Sequence, residues 1–267
     1  MTENRDDGCP RRMVCLTGAT REVLDRLGAG DRVVGMGAGV PGSPEALEAL
    51  RVRGFKEADP EQILLLKPDL VLASSDLQAD LARELSRLGI PVMSFTLGSV
   101  EEILRMIRLL GGRVGLQEKG LALAADLEKE VQEVRERGEN LLRRPRVFFE
   151  EWPDPLISCS GWVSELIEAA GGEDVFPEHR ARHEERGRIV DPAEVARREP
   201  EVVIGSWRGE KVDFGRIRSR PGWERVPALR RGKLFEIDSA LILQPGPAAL
   251  TAGLARLHEI LAESSLG

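Results

Sequence analysis

DPEQILLLKPDLVL, residues 59–72, returns without a gap as DPAEVARREPEVVI, residues 191–204. Asp59-Pro60 aligns with Asp191-Pro192, Pro68 with Pro200, and Leu70-Val71-Leu72 with Val202-Val203-Ile204. Each copy reads as the same small unit. The Asp carboxylate can accept bonds from the free N–H groups of a helix start, and Pro at the first helical position has no N–H to leave unpaired. The second Pro cannot continue that helix, and the apolar, β-branched run after it suits a strand buried on both faces. The stretch therefore predicts helix, turn and buried strand, written twice.

A second pair supports duplication. GATREVLDRLGAGDRVV (18–34) matches GWVSELIEAAGGEDVF (161–176) in its Gly, its Glu four positions on, its later Gly and the apolar spacing between them. Internal similarity at so long a period points to two related lobes, not to a solenoid of short repeats. Strands are expected at Met13–Leu16, Val33–Met36, Leu70–Ala73 and Val92–Phe95, then at Arg146–Phe149, Val202–Ser206 and Leu234–Ile237, with helical patterns between them and a last helix near Pro247–Ala262. Alternation of this kind predicts an α/β fold of parallel sheets flanked by helices. Between the halves, residues 116–145 are rich in helix formers and close on Pro145. A helix of about 25 residues would run nearly 40 Å and act as a strut. The expected division is an amino-terminal lobe (12–115), a connecting helix (116–144) and a carboxyl-terminal lobe (145–264).

Composition narrows the function. The 267-residue chain is 42% hydrophobic and 31% charged, with a formal charge of −7, so a general attraction to nucleic acid or to an anionic membrane is not expected. Arg143-Arg144 and Arg230-Arg231 read as solvated edges beside strand starts. Three cysteines at wide spacing, Cys9, Cys15 and Cys159, support neither a disulfide framework nor a zinc site. No stretch approaches the ~18 apolar residues of a membrane helix, and the first residues lack the apolar core of a signal peptide. As written, the chain reads as cytoplasmic, and as extracytoplasmic if a leader was removed. A monomer is expected.

Two such lobes are expected to face a cleft at the carboxyl ends of their strands, where open parallel sheets bind ligands. The candidate ligand-binding residues delivered there are Thr17, Met36, Phe55, Ser74, Ser75, Trp152, Asp154, Trp162, Trp207 and Gln244. Three of the four Trp residues fall in expected loops of one lobe, and the chain has no Tyr. Several indoles at loop ends suit a bulky flat ligand, while any one of them can equally be a packing residue. GAGVPG (37–42) satisfies G-x-G-x-x-G, with Glu57 and Asp59 at a fitting distance for a ribose. That would make the chain an NAD-dependent enzyme, but Pro41 would sit inside the phosphate turn and SPEALEALR opens its own short helix. His179 and His183, four apart, would share a face if helical and are weak candidate metal ligands. No Ser nucleophile elbow is present, and the side chains of the adjacent acids Glu150-Glu151 diverge on a strand.

These residues also carry a family likeness. The segments GATREVLDRLGAGDRVVG, GF…DPEQILLLKPDLVL, LGIPV, EEWPDPLISCSGWVSELIEAAGGEDVF and RPGWERVPALRRGKLFEID followed by PGP resemble the substrate-binding proteins of ABC importers for vitamin B12 and iron-siderophore complexes, most closely the cobalamin-binding branch. The resemblance implies two Rossmann-like lobes joined by one rigid backbone helix, a corrinoid held between them, and no catalytic activity or catalytic cofactor. On the same scaffold the alternative ligand is a siderophore or haem. It further implies an acidic residue on each lobe docking to an ABC permease: Glu61 matches the first, while the second position holds Ala193 with Glu194 beside it. By analogy the 179–183 loop lies near the ligand, where a His could approach a corrinoid's cobalt.

Overall fold

The computed structural model describes residues 8–37, 50–52, 59–74 and 78–266, with backbone only for 50–52. The chain divides into two compact units: residues 1–97 with 101–126, and residues 98–100 with 127–267.

The amino-terminal unit carries a parallel sheet of β1 (Met13–Cys15), β2 (Val33–Gly37), β3 (Leu50–Val52), β4 (Leu70–Ser74) and β5 (Val92–Phe95), in the order β3-β2-β1-β4-β5. The helices α1 (Gly18–Leu27), α2 (Pro60–Leu65), α3 (Ala79–Arg87) and α4 (Val100–Arg113) alternate with these strands or follow them. The strand order reverses at β1/β4, because the chain builds outward to β3 and then returns to the other side of β1. Val14, Leu16, Ile63, Val71, Ala73 and Leu85 form a core beneath that point.

The next helix, α5 (Gln117–Glu139), is the connecting helix, 23 residues long. Its start packs closely on α4: a Cβ on Gly111 would stand 2.7 Å from the Gly120 backbone, so small residues are needed on both helices there.

The carboxyl-terminal unit is built on β6 (Arg146–Pro153), β7 (Leu156–Ser158), β8 (Glu173–Asp174), β9 (Val202–Gly205) and β10 (Leu234–Glu236), with α6 (Gly161–Ala169) and α7 (Pro192–Arg197) among its helices. The order is β10-β9-β6-β7, and β8 pairs with the first residues of β6. β9, β10 and β8 run parallel, while β7 folds back antiparallel on the second half of β6. Neither β7 nor β8 is expected from the sequence, nor is the length of β6. The hairpin lengthens that strand, so Glu150, Glu151 and Trp152 lie within it. Here the order reverses at β6/β9. Phe148, Phe176, Val203, Trp207, Ile217 and Trp223 form the core, with Phe148 edge-on to Trp223 at 6.0 Å and to Phe176 at 5.8 Å.

The duplicated modules agree down to single bonds. Asp59 and Asp191 cap α2 and α7 by accepting from Glu61 N–H (2.9 Å) and Ala193 N–H (2.8 Å), each with Pro at the helix start. Ile63 and Val195, both 0% exposed, anchor the two helices to their cores. Lys67 and Glu199 take left-handed backbone angles, φ 48° and 45°, immediately before Pro68 and Pro200. Each thereby avoids the right-handed helical geometry that a following proline disfavours. The strand entrances match too. Asp69 N–H donates to Arg12 O and Glu201 N–H to Arg146 O, and each acid's carboxylate accepts the N–H of that same Arg.

Three expectations need correcting. The arginine pairs are not all solvated edges: Arg143 pairs with Glu201 at 2.6 Å, Arg144 donates to Gly172 O, and Arg231 reaches Glu201 at 3.5 Å. Strand entrances collect bare carbonyls and acids, and those arginines satisfy them. Of the helix read over SPEALEALR, residues 43–49 lie outside the described residues, and Leu50 and Arg51 belong to β3, paired with Gly35 and Met36. His179 and His183 do not share a helix: His179 ends the short turn Pro177–His179 and His183 lies beyond it.

Candidate ligand-binding site

In open parallel sheets the crevice at the point of reversed strand order, outside the strands' carboxyl ends, is the favoured ligand position. In the amino-terminal unit that edge is formed by Thr17, directly after β1, and Ser74, the last residue of β4. Thr17 is buried and caps α1, its hydroxyl 2.9 Å from that of Thr20. Ser74 is half-buried and donates its N–H to the Gln78 side chain at 2.9 Å, while the Gln78 amide nitrogen reaches Leu16 O at 3.3 Å. Gln78 thus ties β1 to β4 across the edge, a role the sequence does not announce. Met36 is 1% exposed and belongs to the core. Phe55, Glu57, Ser75 and positions 38–42 of the GAGVPG turn lie outside the described residues. Asp59 is engaged as a helix cap, which takes it from the ribose role.

The corresponding edge of the carboxyl-terminal unit is ionic. Glu150 and Glu151, next to each other on β6, point to different partners as alternation on a strand requires. Glu150 is 0% exposed and takes a two-point bond from Arg220, at 2.5 and 2.8 Å, and a third from Trp207 Nε1–H at 3.1 Å. Arg220 also lies 4.6 Å over the Trp223 ring. Glu151 accepts from Arg188 at 2.6 Å, from Arg208 at 2.7 Å and from the Ser160 hydroxyl at 2.8 Å. Burial pushes its carboxyl up, yet Arg188 and Arg208 outweigh that and hold it below the usual carboxylate range. The same Ser160 occupies the position of the helix-capping Thr17, but its hydroxyl caps no N–H of α6.

The four indoles separate by environment. Trp223 and Trp207 are core residues, 0% and 4% exposed, and Trp207 has committed its N–H to Glu150. That leaves Trp207 little surface for a ligand. Trp152 and Trp162 are half-buried. Trp152 donates its N–H to Asp154 O (2.9 Å), and Trp162 donates to Ile242 O (3.1 Å), beside the segment that leads to half-buried Gln244. Asp154 is exposed and 3.3 Å from Arg216.

His179 is buried, its Nδ1 2.8 Å from the Ser158 hydroxyl, and its ring lies tilted on Phe176 at 5.2 Å. Burial, with Arg182 nearby, lowers its pKa. His183 is exposed. Among the described residues no group of three or more His, Cys, Asp or Glu is placed to hold a metal ion. Asp174, beside Ser164, Cys159 and Phe176 N–H, has its carboxyl raised by burial. Glu61 is exposed at the start of α2, whereas Glu194 is ion-paired with Arg197 and Arg198.

A family model described as periplasmic binding protein matches residues 13–241, most of the chain, and the chain belongs to that family of non-catalytic solute-binding proteins. Among curated relatives, a vitamin B12-binding protein of Vibrio parahaemolyticus is 29% identical over 247 residues, covering 90% of this chain and 86% of its own. An uncharacterized ABC transporter substrate-binding lipoprotein of Bacillus subtilis is 25% identical over 261 residues, covering 94% and 79%. Among solved structures, the periplasmic vitamin B12 binding protein BtuF of Vibrio cholerae superimposes with a TM-score of 0.77 at 22% identity, covering 96% of this chain and 98% of that one. The periplasmic heme-binding protein RhuT from Roseiflexus sp. RS-1 does so at 0.83 and 23%, covering 96% and 99%. These superpositions establish the fold.

Proposed function

We propose that the protein binds a corrinoid, cobalamin or a close relative, as the extracytoplasmic substrate-binding component of an ABC importer. The observation that carries the reading is the pair of half-buried indoles, Trp152 and Trp162. Both N–H groups are already satisfied within the chain, so what each can offer a guest is ring surface. Apolar burial at about 25 cal/mol per Å² over a large macrocycle supplies several kcal/mol towards binding. The side chains of Gln244 and Asp154, on the same unit as the two indoles, are suited to a ligand's amides. The relatives named for vitamin B12 support the same choice. Among the described residues no helix is long and apolar enough to cross a membrane, so passage of the ligand would fall to a separate permease. Glu61 is the docking residue we assign on the amino-terminal unit, while Glu194 has its charge committed to two arginines.

Tryptophan fluorescence titrated with cyanocobalamin, haemin, a ferric siderophore and NADH tests the reading. Saturable quenching by cyanocobalamin at the lowest concentration is the expected result. Tighter binding of haemin or the siderophore would transfer the assignment to that ligand.

A further inference from the structure

Past the end of β9 the chain makes a tight turn, Trp207–Glu210, closed by a bond from Glu210 N–H to Trp207 O. Both central residues have positive φ, 26° for Arg208 and 88° for Gly209. A turn of this type favours Gly or Asn, so an arginine at its tip carries backbone strain. What the strained residue does there is fixed by its side chain. Arg208 Nη2 donates to Glu151 at 2.7 Å and Nη1 to Glu185 at 2.7 Å. Around it, Arg188 shares Glu151 and Arg220 takes Glu150. Three guanidinium groups at this edge therefore meet three carboxylates, and their formal charges cancel. The Arg208 side chain is 36% exposed, so its charge would be felt by a guest at the sheet edge if the carboxylates were absent.

We infer that Glu151 and Glu185 determine specificity: by cancelling the charge of Arg208 they make the carboxyl edge of this sheet unfavourable to metal chelates with free carboxylates and tolerant of those whose side chains are amides. The inference rests on this edge being the ligand surface, as proposed above. A macrocycle bearing carboxylates gains from a bare cation, while an amide-bearing one gains little, so the preference is a difference between two affinities. The two acids act differently. Glu151 is 6% exposed and also holds Arg188 and Ser160, whereas Glu185 is 30% exposed and pairs with Arg208 at the rim. Glu185 can thus be neutralised with less risk to the fold.

The test is the Glu185→Gln protein titrated with haemin, which carries two carboxylates, and with cyanocobalamin, whose corrin side chains are amides. Haemin affinity is expected to rise about fivefold, a gain that fades at high salt, with cyanocobalamin unchanged within about twofold. Adding Arg208→Gln to that variant should abolish the gain, and Glu151→Gln should shift the same ratio further if it folds. Equal changes in both affinities, or a gain that survives removal of Arg208, would overturn the inference. A wild-type protein that takes haemin and refuses cyanocobalamin overturns both the corrinoid reading and the inference, whereas a wild type that binds cyanocobalamin with no rise in haemin affinity in Glu185→Gln overturns the inference alone. Failure to bind either probe overturns both.

Discussion

At the β1/β4 edge of the amino-terminal sheet, one neutral amide, Gln78, bridges Leu16 O and Ser74 N–H. At the β6/β9 edge of the carboxyl-terminal sheet, the equivalent place is filled by Glu150, Arg220 and Trp207, with Glu151, Arg188 and Arg208 beside them. The backbone plan is shared, down to the capping aspartates and the left-handed residue before the second proline. The polar filling is not. Duplication has kept what makes the strands and helices and replaced the polar groups at the strand ends, and the proposed specificity rests on that replacement in the carboxyl-terminal unit.

The largest effect should come from breaking the charged edge. Arg220→Ala leaves Glu150 buried without its cation and should cost about 3–5 kcal/mol in urea unfolding. Gln78→Ala, which removes a neutral bridge, should cost about 1–3 kcal/mol. Equal losses would erase the distinction drawn here. The indoles sharpen it next. Trp207→Ala should destabilise the protein by about 3–5 kcal/mol as a core truncation. Trp152→Ala, whose ring packs only partly against that core, should cost less stability than Trp207→Ala while weakening corrinoid binding more than about tenfold, roughly 1.4 kcal/mol by calorimetry.

Acid should act on the carboxyl-terminal unit in two steps. Burial lowers the pKa of His179, so the folded state favours the neutral ring. Its contribution is complete above the ordinary value of about 6.5 and is lost as pH falls from there through the folded value. The Glu151 carboxyl, also held low, contributes above about 4.3 and loses that contribution on further acidification. Asp174 works in the opposite sense: its raised value gives a contribution present at low pH and lost as pH rises. The His179 contribution should therefore fall from pH 7 down to 5, against the opposite trend of Asp174, and His179→Gln should remove that fall from the measured slope. A slope unaffected by the substitution would remove His179 from the account. The smallest effect concerns thiols. Burial pushes Cys15 up to about 12 and raises Cys159 further from reactivity, so an aromatic disulfide reagent at pH 8 should reach both at the rate of unfolding.

The fold was legible because its signals are local. Asp-Pro, the second Pro and a β-branched run specify cap, stop and strand within fourteen residues, and the connecting helix follows from its composition. β7 escaped because Leu156–Ser158 is short and is held by its pairing with β6. The charged edge escaped for a related reason. Glu151 meets Arg188 and Arg208 across 37 and 57 residues, and Glu150 meets Arg220 across 70, so no motif could show them together. A signal was nevertheless present: two adjacent acids in a run that is otherwise strongly apolar need buried partners. Its place after a strand makes Trp207 a candidate ligand residue in the sequence, and it does follow β9, but its indole is buried in the core. The turn that follows directs its indole into the core.

Isothermal titration of the purified protein with cyanocobalamin is the most direct measurement. The account predicts one corrinoid per chain with a dissociation constant below about 1 μM, equivalent to more than about 8 kcal/mol, and a marked loss in Trp152→Ala. Absence of heat, or binding in which Trp152→Ala matches the wild type, would contradict it.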